Sequence, residues 1–313
     1  MTSTAAPISA PTPVPARRRL VPHWLSSVLG ELRRDRLATA AVTIVVTYLL
    51  AALLAPWIAP GDPNSQDVVG RLQGPFWGQG GALAHPLGTD ALGQDLLSRV
   101  IYGARASLLI GFLVVLVAGT FGTVLGVVAG YRGGRTDQII SRITDIQTAF
   151  PGLLLALTIL AVIGPGETNL VIVFAINGWM VYCRTARSQT LSIREQPYIE
   201  AARAAGSRQR TIIFGHIIPN LASTLVTLAT LELARIILAE SVLSFLGVGV
   251  QTPSVSWGLM IADAETYMTT NPWLTFVPGA ALAVLVLAMN VVASWVRTIA
   301  DPVQRSRESI ARA

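Results

Sequence analysis

Apolar positions in this chain are gathered into long blocks, separated by shorter segments that hold nearly all the charge. Six blocks approach the roughly 20 helical residues needed to cross a bilayer's hydrocarbon core: Leu37 to Ile58, Ser107 to Gly130, Ile146 to Ile163, Leu170 to Cys183, Ile217 to Ala239 and Trp273 to Val296. The fourth is the weakest. Its uninterrupted run is short and must borrow Thr168, Asn169 and Thr185, with Arg184 and Arg187 snorkelling at its end. The pattern predicts an all-α integral membrane protein with six transmembrane helices. Ahead of the first block, Val21, Trp24, Leu25, Val28, Leu29 and Leu32 recur at helical spacing and run into Arg33, Arg34 and Arg36. That predicts an amphipathic helix over residues 17–36, lying on the inner leaflet. Residues 1–16 are rich in Pro, Ser, Thr and Ala without an apolar pattern, and are expected to form a disordered tail.

The expected organisation follows from these blocks. Residues 37–58 form the first transmembrane helix, longer than a signal peptide's apolar region and therefore read as retained. Residues 59–105 form an extracytoplasmic loop, and 106–300 a core of five further transmembrane helices with a cytoplasmic loop at 184–216. Residues 301–313 form a cytoplasmic tail.

Composition agrees and removes several functions. Of 313 residues, 52% are hydrophobic and only 13% charged, with mean hydropathy +0.57, whereas soluble domains carry about a quarter of their residues as charges. All 23 basic residues are arginine. A Walker A phosphate loop needs lysine, as does a Schiff-base enzyme, so ATP is not expected to be bound by this chain. Cys183 is the one cysteine, and His23, His85 and His216 are far apart in sequence, so no metal site is expected. Neither outer loop offers a nucleophile and base constellation, and the chain is read as no enzyme, with no catalytic residue.

The net charge of +6 reports topology, not nucleic acid. With both termini cytoplasmic, the inner segments hold nineteen arginines and the outer segments three, Arg71, Arg99 and Arg105, giving +11 inside, −4 outside and −1 within the spans. That satisfies the positive-inside rule and places the protein in the cell inner or plasma membrane.

The inner segment 184–216 is the most informative. Pro197 suits a first helical turn, Tyr198 to Ala205 favours helix, and Gly206 can adopt the left-handed conformation that ends it. A second helix is expected from Ser207, capped by its hydroxyl. Ala201, Ala202, Ala204 and Ala205 would let another protein's backbone approach closely, with Glu200 and Arg203 as polar contacts at the edge. An ordinary alanine-rich helical loop fits the spacing equally well.

Glu200-Ala201-Ala202, Gly206 and His216-Ile217-Ile218-Pro219-Asn220 resemble the cytoplasmic signature loop of ABC importer permeases, with His216 and Ile218 departing from the general pattern. The His-x-x-Pro-Asn ending is typical of the dipeptide, oligopeptide and nickel permeases. His85-Pro86-Leu87-Gly88-Thr89-Asp90 with Gly93-Gln94-Asp95, Gly103 to Leu108, Ala239 to Gly247, Ser256-Trp257-Gly258 and Asp301-Pro302 resemble the C-type subunit of that branch, which more often has Arg at Gln94. The resemblance implies a type I (MetI-like) permease fold. It implies partners as well: a homologous B-type permease, two ABC ATPase domains that bind ATP and Mg, and an extracytoplasmic binding protein. It further implies that Glu200, Ala201, Ala202, Arg203, Gly206 and Pro219 belong to an ATPase-coupling segment. The expected cargo is a dipeptide or oligopeptide, with nickel chelate, haem or glutathione as alternatives. An ion-gradient-driven secondary transporter would show internal repeats and broken helices at mid-membrane, which the sequence does not display.

Polar residues within spans are costly and face a cavity or a partner. Glu232 and Arg235, three apart on one helix, either line the translocation path or neutralise each other at a subunit seam. Asn290 is a further pathway candidate, and with Asn177 can act as hydrogen-bonding glue between helices. Glu240 is expected to anchor the following re-entrant loop, Arg142 and Asp145 to form a cytoplasmic ion pair, and Trp77, Trp257 and Trp273 to sit at membrane interfaces.

Overall fold

The computed structural model describes residues 32, 35–78 and 83–300. The expected N-terminal tail, nearly all of the amphipathic helix over 17–36 and the tail over 301–313 lie outside the described residues. The chain divides into a unit Met1–Arg36 and a unit Leu37–Ala313; the following concerns the second, with the helix that opens it.

The described residues are helical, without a named strand. The first block becomes α1 (Arg36–Leu53) and a short α2 (Ala55–Ile58), broken at Leu54 just before Pro56, which enters the first turn of α2 where its missing N–H costs nothing. The long α3 (Leu96–Arg132) starts well before the expected Ser107, because Asp95 caps it by accepting from Ser98 N at 2.8 Å. The last turns of the segment 59–105 are therefore helix. The third block is split. α4 (Gly134–Thr148) and α5 (Gly152–Ile163) meet at 84° around Pro151, whose ring and missing N–H interrupt the hydrogen-bond ladder. α6 (Glu167–Arg194) is longer than the expected fourth span, and the beginning of the segment 184–216 is its last part. Beyond it come α7 (Pro197–Ala204) and α8 (Gln209–Ile212), then a π turn (Ile213–Ile217) that leads without interruption into α9 (Ile218–Phe245). The wider turn accommodates Pro219, which cannot continue a regular ladder. Arg208, not Ser207, precedes α8, and no side chain caps it. α10 (Trp257–Asp263) and α11 (Trp273–Ala300) complete the order.

Among the described residues, four helical segments are long and apolar enough to cross a bilayer: Arg36–Leu53, Leu96–Arg132, Gln209–Phe245 and Trp273–Ile299. The bent α4 and α5 make a fifth if they count as one span. The expected fourth block, within α6, does not reach that threshold.

The bundle is organised by α3 lying against α6. Glycines on α3 let the backbones touch. A Cβ on Gly122 would fall 2.1 Å from Trp179 O, and one on Gly126 2.4 Å from Cys183 O. Small residues at such crossings are the usual means of close helix approach in membranes. At the opposite end from α7, called here the cap end, α3, α9, α10 and α11 close around Trp257, Met260, Leu108, Ile237 and Leu285. Trp257 is completely buried and donates from Nε1 to Val100 O at 3.0 Å, so it is a core residue and not the interfacial anchor expected from its type.

Candidate functional site

Helix α7 is presented between two arms, α6 and the α8–α9 segment. Pro197 opens it, Glu200 lies in its first turn and Arg203 in its last, each sign matching the adjacent end of the helix dipole. Gly206 has φ +78°, and the turn closes with Ala205 N donating to Ala201 O (2.9 Å), Gly206 N to Arg203 O (2.9 Å) and Ser207 N to Ala202 O (3.0 Å). This is the left-handed stop expected from the sequence. Only Ile199 is buried; it packs with Val127 of α3, Ala186 of α6 and Ile212, Ile217 and Leu221 of the second arm. Glu200, Ala201, Arg203, Ala204 and Gly206 are exposed and Ala202 half-buried. Arg203 also lies over the Tyr131 ring, 5.5 Å from its centroid, and Tyr198 meets His216 at 6.1 Å. Pro219 is exposed on the arm, away from the exposed face of α7 in sequence, while its neighbours Ile217 and Leu221 hold Ile199.

Along the bundle, Glu232 and Arg235 form the expected pair: Oε2 of Glu232 accepts from Nη2 at 2.6 Å and from Nε at 2.9 Å. Glu232 is buried while the Arg235 side chain is 57% exposed, so the pair presents its cation outward. A nearby apolar cleft of about 410 Å³ between α3, α6 and α9 is lined by Phe112, Gly119, Thr123, Tyr182, Leu225 and Ala229. Asn290 does not join this region. Its Nδ2 donates back to Val286 O at 2.8 Å on an exposed face, so it links no second helix among the described residues. Asn177 is buried, and neither polar atom of its amide has a hydrogen-bond partner among the described residues.

Glu240 lies within α9, not in the loop beyond it, and is fully buried. Its carboxylate accepts from Ser107 Oγ of α3 at 2.8 Å and from Ser244 Oγ at 2.7 Å, while Ser244 Oγ accepts from Val250 N at 3.0 Å. It therefore fastens the loop after α9 and joins α9 to α3.

At the α7 end, two ion pairs tie α4 to α6. Arg187 binds both carboxylate oxygens of Asp137, with Nη2 to Oδ2 at 2.7 Å, and this holds the Asp137 carboxyl below its usual range. Asp145 pairs with Arg184 at 2.8 Å, not with Arg142 as expected; the tertiary partner on α6 displaces the neighbour on its own helix.

At the cap end, the segment from His85 to Arg99 forms a compact polar knot. Asp90 Oδ1 accepts from Leu92 N (2.8 Å) and Gln94 N (2.9 Å), and His85 Nδ1 meets Asp95 Oδ1 at 3.0 Å. Nη1 of Arg99 donates to both Asp90 and Gln94, and Nη2 reaches Asp263 Oδ2 on α10 at 3.4 Å. Burial raises the Asp263 carboxyl above its ordinary value, against the opposing pull of Arg99. None of this bridge was visible as spacing, because Asp90, Gln94 and Asp263 meet only in the fold.

The sequence profile of the family described as binding-protein-dependent transport system inner membrane component matches residues 122–306, well over half of the chain. The chain belongs to this family of ABC importer permeases. A second profile, the N-terminal TM domain of oligopeptide transport permease C, matches residues 24–75 of the permease. Similar proteins include the dipeptide transport system permease protein DppC of Alkalihalophilus pseudofirmus, 38% identical over 276 residues, covering 88% of this chain and 89% of that protein. The di/tripeptide transport system permease protein DppC of Pseudomonas aeruginosa is 38% identical, covering 90% and 93%. The glutathione transport system permease protein GsiD of Pectobacterium atrosepticum is 37% identical, covering 87% and 89%. Among solved structures, an inward-facing MetNI methionine ABC transporter matches with TM-score 0.54 at 17% identity, covering 64% of this permease and 96% of that chain, a likeness of fold. The first profile takes in the end of α3 and all of α4 to α11, and so contains α7, the Glu232–Arg235 pair and Glu240.

Proposed function

We propose that this permease pairs with a homologous B-type permease, forms the path for dipeptides or oligopeptides delivered by an extracytoplasmic binding protein, and receives its energy through α7 from two ABC ATPase domains that hold ATP and Mg. Both termini are cytoplasmic in this reading, and six spans cross the membrane, α6 being the fourth of them despite its polarity because Asp137 and Asp145 neutralise Arg187 and Arg184 at its inner end. The peptide cargo rests on the names of the relatives; the glutathione permease among them keeps a second small solute open, and nickel chelate and haem remain alternatives for the uptake assay.

The observation that carries the coupling role is the division of α7 into two faces. Its exposed face is short and built of small residues around Glu200, Ala201 and Ala202, and can enter a groove on another protein. Its buried face is one residue, Ile199, locked among side chains from α3, α6 and the α8–α9 arm. A push on α7 is therefore delivered to three long helices together. Arg203 and Gly206 hold the shape of the helix end, and Pro219 sets the arm's π turn. Glu232 and Arg235 are proposed to border the path. Asn290, bonded within its own helix, is carried here by the sequence alone.

The test is ATP-driven uptake by the full complex in proteoliposomes, with labelled dipeptide, longer peptide, nickel chelate, haem and glutathione as separate cargoes. Ala202→Trp should abolish uptake while leaving membrane insertion intact. Normal uptake by this variant refutes the coupling assignment.

A further inference from the structure

A cavity of about 740 Å³ opens at the cap end between the His85–Arg99 knot, α10 and the start of α11. Its size suits a small solute rather than a lone water or ion. The walls include the buried apolar side chains Leu96, Met260 and Leu274 together with Tyr267, and its charged residues are Arg99, Asp90 and Asp263. A mostly apolar hollow with a few convergent polar groups is the usual form of a ligand site.

The charges do not balance within the cavity. Arg99 is 5% exposed at its side chain and commits one amino group to Asp90 and Gln94. Asp263 receives only the other amino group, at 3.4 Å, and its side chain stays 52% exposed. Two carboxylates thus share one guanidinium, and the more exposed carboxylate has the longer contact. The residual negative charge sits on Asp263, where a cation is attracted. The neutral side chains of Asn64 and Thr266 lie on the same lining and can meet amide groups of a ligand that has one cationic end.

We propose that this cavity binds the terminal ammonium group of a short peptide at Asp263, with the peptide's apolar parts against Met260, Leu274 and Tyr267, as a receiving site separate from the Glu232–Arg235 region. This rests on the peptide reading above and on the cap end facing outward.

The test uses the full permease–ATPase complex in nanodiscs without binding protein, titrated with alanyl-phenylalanine and with its N-acetyl derivative. Saturable binding of the free dipeptide is expected, weakened by roughly ten- to hundredfold in Asp263→Asn and for the N-acetyl form, as for loss of a hydrogen bond to a charged group. No saturable binding, or equal binding of both peptides, overturns the proposal. If, once binding protein is added in a second titration, Asp263→Asn weakens only that protein's affinity for the complex, the cavity receives a basic side chain of that protein, and the proposal falls. A complex that imports dipeptide on ATP yet binds none at this cavity overturns the receiving site alone. A complex that imports no peptide overturns the cargo reading as well.

Discussion

Arg203, in the last turn of α7, lies over the ring of Tyr131 near the end of α3, 5.5 Å from its centroid. The contact ties a short exposed helix to the longest helix of the bundle, beside the buried Ile199. Such contacts contribute about 0.5–1 kcal/mol at exposed sites, too little to hold the fold but enough to bias how firmly α7 transmits a push. Tyr131→Leu should keep folding and ATP hydrolysis near normal and lower the peptide imported per ATP hydrolysed. An unchanged ratio in proteoliposomes would show that Ile199 alone carries the motion.

The crossing of α3 and α6 has no room for side chains at Gly122 and Gly126. Gly126→Leu is expected to force the helices apart, costing about 1–3 kcal/mol or more, with Gly126→Ala in between. Thermal unfolding of the detergent-purified complex should follow that order of size. A Leu variant as stable as the parent would place the helix crossing elsewhere.

The long apolar blocks made α1, α3, α9 and α11 legible, since little but a membrane helix explains such runs. The loop at α7 was legible for a different reason: Pro197 and Gly206 are local signals and act where they stand. What depended on tertiary partners was hidden. The length of α6 was masked by Arg184 and Arg187, whose charges are neutralised only by Asp145 and Asp137 on α4. The break of the third block was marked by Pro151, yet the apolar residues on both sides made it read as one helix. Trp257 carries an interfacial side-chain type but fills the core, and the Arg99 bridge joins residues separated by up to 164 positions.

Glu240 holds two helices and a loop through serine hydroxyls. Glu240→Ala removes the acceptor from Ser107 and Ser244 in a fully buried site, and each orphaned hydroxyl costs about 1–3 kcal/mol. Glu240→Gln keeps the shape and one carbonyl acceptor. The alanine variant should therefore unfold at clearly lower temperature than the glutamine variant, and limited proteolysis should cut first between Leu246 and Ser256. Equal stability of the two variants would remove the anchoring role.

The Asp137–Arg187 pair gives the α4–α6 junction a pH dependence of fixed sign. Hydrogen bonding to Arg187 is the main cause of the lowered Asp137 pKa, with burial opposing it and Ser141 and Arg194 adding smaller pulls in the same direction as Arg187. A carboxyl that ionises more readily when folded stabilises the folded state at pH values above its unfolded pKa. That contribution is lost as the pH falls through the lower folded pKa. The wild-type protein should accordingly be more stable than Asp137→Asn at neutral pH, and the difference should shrink on acidification as Asp137 becomes protonated and both side chains are neutral. Unfolding midpoints of the two proteins, measured in the same detergent from neutral to acid pH, read this directly. Asp145 and the other carboxyls are common to both proteins and cancel in the difference. A gap that stays constant throughout, or widens in acid, would mean that Asp137 is not stabilised as an anion by Arg187.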